Sequence, residues 1–119
     1  MSVTEDYVSI DTARKLKERG FEGQSDGFYV ENEDSTNRAV YPKPTLWVAL
    51  KWVRREHNYF VEVHRFNGGW CYVVIDMIDD KTLFVEDCES VEDGEDRGLN
   101  YVLDNLIQRK DEVTKEKER

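Results

Sequence analysis

A period-two stretch, an Asn-Gly turn and helix-start signals on both sides of them predict an α+β domain. The expected core is a three-stranded antiparallel meander packed against two or three helices, with short N-terminal strands able to extend the sheet. Tyr59 to Phe66 alternates, with Tyr59, Val61 and Val63 on one side and Phe60, Glu62, His64 and Phe66 on the other. Asn67-Gly68 follows, and both residues of a two-residue hairpin turn need positive φ, which Asn and Gly tolerate best.

The first element is a helix over Ile10 to Arg19. Ser9 can cap its free N–H groups, Ile10, Ala13 and Leu16 share a face, and Gly20 supplies a left-handed stop that lets Phe21 fold back on Leu16. From Glu22 to Lys43 that pattern breaks. Phe28-Tyr29-Val30 and Ala39-Val40-Tyr41 read as two short strands around the acidic, polar run Glu31 to Asn37.

Pro42 and Pro44 hold off any earlier helix, so Thr45 is the expected N-cap of a second one reaching His57. At 100° per residue, Leu46, Ala49, Leu50, Trp52 and Val53 fall on one broad face, and Leu50 is expected in the core. Lys51, Arg54 and Arg55 gather on the other side, around Trp47.

The meander follows: Tyr59 to Phe66, Trp70 to Ile78 after the Asn-Gly turn, and Lys81 to Cys88 after a turn at Asp79-Asp80. Ser90 with Asp93 three residues later reads as a capping box for a last helix from Val91 to about Arg109, whose inner face is Val91, Gly98, Val102 and Leu106. Residues 7–109 are therefore expected to form one domain. The charged segment 110–119 has a single apolar residue, Val113, and is expected to be disordered.

The chain has 119 residues, enough for one core, and 12% aromatic side chains, which a disordered chain lacks. Its net charge of −9 repels phosphate backbones and anionic lipid, so neither nucleic acid nor membrane is an expected partner. No apolar run is long enough to span a bilayer and the first residues lack a basic start, so a cytoplasmic location is expected. In a reducing compartment Cys71 and Cys88 read as free, partly buried thiols.

Several segments carry a resemblance. Ile10-Asp11-Thr12-Ala13 to Gly20-Phe21, Lys51-Trp52 to His57-Asn58 joined to Val61-Glu62-Val63, and Gly98-Leu99 together resemble a family of short uncharacterised proteins from bacteriophages and integrated mobile elements of gut anaerobic bacteria. The resemblance implies an accessory role in such an element and brings no catalytic residues. Residues 44–109 also follow the helix, three strands, helix order of the double-stranded-RNA-binding domain. At the start of the last helix, where that domain grips phosphates with lysines, this chain has Glu92, Asp93, Glu95 and Asp96, the wrong sign for RNA.

Chemistry is thinly represented. The histidines are His57, where a positive charge would suit a helix C-terminus, and His64, two residues from Glu62 on one strand face. A two-residue Asn67-Gly68 turn sets His64 opposite Cys71, and a turn at Asp79-Asp80 sets Cys71 opposite Cys88, which opens a zinc or nucleophile reading beside that of thiols packed in a sheet. Glu89, Glu92, Asp93, Glu95 and Asp96 read either as a solvated helix start or as a docking face for a basic partner. Gly94 and Gly98, four apart, read as close packing on the sheet or as a groove for another chain.

No GxGxxG, P-loop, GxSxG or HExxH pattern is present, and no cofactor is expected. The leading expectation is a non-enzymatic protein-binding factor that takes a host or phage protein, or a second copy of itself, through Trp47, Lys51, Arg54 and Arg55. A restricted version is a nucleic-acid mimic, whose carboxylates would run along a continuous ridge. The alternative is a small enzyme or ligand-binding protein using Glu62, His64 and Cys71.

Overall fold

The structure, a computed structural model, describes residues 6–32 and 38–107. Three helices and two sheets follow in the order α1 (Ile10–Glu18), β1 (Phe28–Asn32), β2 (Arg38–Pro42), α2 (Leu46–His57), β3 (Tyr59–Phe66), β4 (Gly69–Asp76), β5 (Lys81–Cys88) and α3 (Val91–Asn105). This is the expected α+β architecture, with one difference in the sheets. β1 and β2 pair with each other and do not extend the meander β3-β4-β5. Their sheet lies against α1 through β2, where Lys17 Nζ donates to the Val40 carbonyl at 2.9 Å and sits 5.4 Å from the Tyr41 ring. Segment 110–119 and the whole run between β1 and β2, residues 33–37, lie outside the described residues.

Each helix starts where a side-chain oxygen meets its free N–H groups. Ser9 accepts from Thr12 N, Thr45 from Val48 N and Ser90 from Asp93 N. Asp93 in turn accepts from Glu89 N at 2.9 Å, one residue before the partner of the standard capping box. Gly20 (φ 86°) follows α1, and the amide of Phe21 returns to the Leu16 carbonyl at 2.9 Å, the fold-back read from the sequence. Asn58, left-handed at φ 62°, stops α2 and turns the chain into β3.

α3 ends at Asn105, short of the expected Arg109. The amides of Leu106 and Ile107 both return to the Val102 carbonyl, Ile107 folds back into the core, and Arg19 Nε, just after α1, donates to the carbonyls of Leu103 (2.9 Å) and Ile107 (3.3 Å). A neighbouring helix thus supplies the C-cap that the local sequence lacks.

Asn67 (φ 49°) and Gly68 (φ 77°) make the expected two-residue turn, with Phe66 opposite Gly69. The second turn is longer than expected. Asp76 Oδ1 accepts from the amides of Ile78 and Asp79, an Asx turn that ends β4 two residues early and leaves Met77 to Asp80 as the loop. A bulge beside Val74 and Ile75 then shifts the pairing by one, so Val74 faces Phe84 while Ile75 faces Thr82.

α3 crosses one face of all three meander strands, α2 packs on β3 and α3, and α1 on α3 and β2. The closest approach is at its glycines. A Cβ on Gly94 would come within 2.8 Å of Cys88 Sγ and 2.9 Å of Val63 Cγ2, and one on Gly98 would collide with the Val61 side chain. Leu16, Val53, Val74, Leu99, Val102 and Leu103 are fully buried between these layers. The inner face of α3 is broader than the one read from the sequence: Gly94, Leu99 and Leu103 are buried with Gly98 and Val102, while Val91 and Leu106 are only half-buried. Leu50, expected inside, is half-buried at the core edge.

Candidate functional site

Two surfaces stand out once the core is accounted for. The first is the exposed strip of α2. Leu46, Ala49 and Val53 face the core, and Trp52 packs edge-on against Phe21 (5.3 Å) and His57 (4.7 Å). Trp47 points the other way and is 66% exposed. Lys51, one turn on, places Nζ 5.1 Å from its ring centre. Arg54 is half-buried and Arg55 exposed.

Elsewhere Arg14 meets Asp11 and Glu31, Lys15 meets Asp104, Arg19 meets Glu18, and Arg97 meets Glu86, whereas Lys17, Arg38, Lys43, Arg65 and Lys81 form no ion pair among the described residues. Lys51, Arg54 and Arg55 form no ion pair among the described residues. On a chain of net charge −9, this strip keeps its positive charge unneutralised.

The second surface is the outer face of the meander, opposite α3. Register sets Phe60 beside Ile75, Glu62 beside Val73 and Val85, and His64 beside Cys71 and Asp87, with Phe66 at the turn. The inner-face residues Tyr72 and Val74 belong to the core cluster and Tyr59, Val61, Val63 and Phe84 pack against it, whereas Phe60, Phe66, Val73, Ile75 and Val85 do neither. No described helix covers them. Alternation identifies the two faces, but only the placement of α3 shows which one is left open.

The acidic residues are partly committed to the fold. Asp93 caps the turn before α3 and lies 3.5 Å from Arg97, Asp96 Oδ1 accepts from Asn100, and Glu86 accepts from Arg97 and from the Tyr72 hydroxyl. Partial burial holds the carboxyls of Glu95 and Asp96 above the usual range, helped by Glu92 beside the first and Asp93 beside the second. Glu89 and Glu92 are exposed. A continuous ridge of free carboxylates is not what these residues form.

His64 lies opposite Cys71, as the turn implied, but the bulge sets Cys71 opposite Asp87 and not Cys88. One residue of slip puts the two thiols on opposite faces: Cys71 outward, though buried, and Cys88 inward against Gly94. The two-cysteine arrangement expected from a shorter turn is therefore not formed. Burial raises the Cys88 thiol above its usual range and favours the unreactive protonated form. Among the described residues no group of three or more His, Cys, Asp or Glu could hold a metal ion. His57, packed on Trp52, is pushed down by burial, so its neutral form is favoured where a charged helix cap was expected.

Among the described residues no helix is long and apolar enough to cross a membrane. Comparison of the chain with protein-family models, with curated proteins and with solved structures finds no match.

Proposed function

We propose that this chain is a non-enzymatic protein-binding accessory factor of a phage or mobile element, acting in the cytoplasm through the α2 strip Trp47, Lys51, Arg54 and Arg55. The observation behind this reading is the 66% exposure of Trp47 beside cations that no described carboxylate neutralises. Tryptophan and arginine are the residue types most enriched among interface anchors, because each couples a large contact area to directional polar groups. The partner is a host or phage protein, or a second copy of the chain.

The test compares wild-type protein with Trp47→Ala and with Arg54→Ala/Arg55→Ala as bait in a lysate of a gut anaerobe, followed by reconstitution with the purified partner. Expected is a partner bound by wild type and weakened about tenfold or more by Trp47→Ala, with the melting temperature unchanged. Equal binding by Trp47→Ala, in capture and in self-association measured by sedimentation, removes this strip as the interface.

The alternative, a small enzyme or ligand-binding protein using Glu62, His64 and Cys71, has the His64–Cys71 register in its favour. Rapid alkylation of Cys71 in the folded protein, abolished by His64→Gln, would favour it over the binding role.

A further inference from the structure

We infer that the open face of the meander is a second docking surface, independent of Trp47, and that its occupant is a basic amphipathic helix of a partner protein. The face is apolar where a solvated sheet would alternate to polar residues. Phe60, Val73, Ile75 and Val85 cover its middle and one end, Phe66 and Val85 are each 57% exposed, and Ile78 in the adjoining loop is 75% exposed. A layered α+β fold buries the apolar face of a sheet against another layer, and here one face has α3 while the other has nothing among the described residues.

Three candidates could supply the missing layer. Segment 108–119 of this chain carries one apolar residue, Val113, among charged and polar neighbours, and so has no apolar face to offer. A second copy stacked sheet to sheet would bring together two bodies of charge −9. Three strands of eight residues also present only about 26 Å by 14 Å, a footprint about half of the 800 Å² per partner that a stable dimer buries. The same footprint fits one helix about 10 Å across and about 17 residues long, lying along the strands.

Charge selects the kind of helix. Among the described residues of the open face the carboxylates are Glu62 and Asp87, with His64 beside them and no lysine or arginine, and neither carboxylate forms an ion pair. Asp79 and Asp80 rim the end near Ile78. A helix with an apolar stripe flanked by lysine or arginine meets both features, and the net charge of −9 draws it in from solution.

The test uses the full chain and a labelled peptide of about 18 residues with leucines at helical spacing flanked by lysines. One control has glutamate in place of lysine, and another alanine in place of leucine. Expected is binding of the Lys/Leu peptide alone, with Kd at or below about 100 µM, weakened about tenfold or more by Val85→Asp and by Val73→Asp. Glu62→Gln/Asp87→Asn should weaken it and flatten its salt dependence. Trp47→Ala should leave it unchanged, so failure here and failure of the α2 strip are read separately. Circular dichroism confirms folding, and Val85→Asp at an already exposed position keeps the test valid if Val73→Asp unfolds.

Four results overturn the proposal: no binding, equal binding of either control peptide, or loss of binding in Glu92→Gln/Glu95→Gln with retention in Val85→Asp. The fourth is adsorption to lipid vesicles, abolished by Val85→Asp, in place of peptide binding; the face would then be a lipid contact.

Discussion

The two faces of the meander are built from the same strands and differ in what lies against them. On the inner face Val61, Val63, Val74 and Phe84 meet a helix that has given up side chains at Gly94 and Gly98 to come close. On the outer face Phe60, Val73, Ile75 and Val85 are equally apolar and do not pack against the buried core. Composition is therefore a poor guide to which face of a sheet stabilises the domain. The guide is the matching surface on the partner element, and α3 carries it: two glycines against the sheet, with Leu99 and Leu103 fully buried beside them.

That contrast is most directly broken by removing the cover. Leu99 is fully buried, and Leu99→Ala should cost about 2 to 5 kcal/mol, as a buried leucine truncation does when the site cannot collapse. Chemical denaturation of variant and wild type checks it. A loss under about 1 kcal/mol would mean that α3 is loosely held and that the inner face is no better covered than the outer.

Gly98→Ala sharpens the comparison, because two effects of opposite sign meet there. Alanine is favoured over glycine inside a helix by about 0.5 to 1 kcal/mol. Against it, the new methyl group would strike Val61, and rotating that side chain gives no escape, since its Cγ2 and Cβ lie within 3.2 and 3.3 Å. Overpacking of this kind costs about 1 to 3 kcal/mol, so the net expectation is a loss of about 1 to 2 kcal/mol, recovered largely by adding Val61→Ala. A stabilised Gly98→Ala would show that α3 stands further from the sheet than described.

How much of this was legible in advance follows a physical line. Helix starts, the Asn67-Gly68 turn and the two faces of β3 depend on neighbours in sequence, and all were readable. So was the outward direction of Trp47, which needs only the helical period and the identity of the core-facing side. What could not be read depends on distant partners or on competing local bonds. Arg19, just after α1, donates to the carbonyls of Leu103 and Ile107 where α3 ends, and Asp76 draws amides into an Asx turn that shortens β4. The bulge between Val74 and Ile75 sets Cys88 on the face away from Cys71. The open sheet face was missed as a surface because period-two alternation places residues on sides without saying which side a helix will cover.

A smaller effect is expected at His57, on the seam where α2 hands the chain to β3. Burial against Trp52 lowers its pKa from 6.5, with Glu56 opposing. A group whose folded pKa is depressed is protonated more readily in the unfolded chain, so stability falls as pH drops through about 6.5 and levels off below the folded value. Glu95 and Asp96 act with opposite sign. Their pKa values are raised above 4.5 and 3.8, so stability is gained as pH falls through those raised values. Melting curves between about pH 7.5 and 5.5 should show a decline that His57→Gln removes. An identical decline in the variant would assign it to other groups.

The smallest effect on stability is expected on the open face itself, and it bears hardest on the comparison. Val85 follows Phe84 directly, yet Phe84 stacks on Tyr101 of α3 at 4.4 Å while Val85 is 57% exposed. Val85→Thr keeps the β-branched shape that suits a strand and replaces one methyl group with a hydroxyl that water can solvate. Stability should stay within about 0.5 kcal/mol of wild type, as for a surface substitution that disturbs no packed contact. If Val85→Thr instead destabilises the isolated chain by 1 kcal/mol or more, on the order of a buried-group effect, the outer face is already covered by part of this protein. No surface would then remain there for a partner helix, because the apolar residues that would receive it would already be packed against the chain's own atoms.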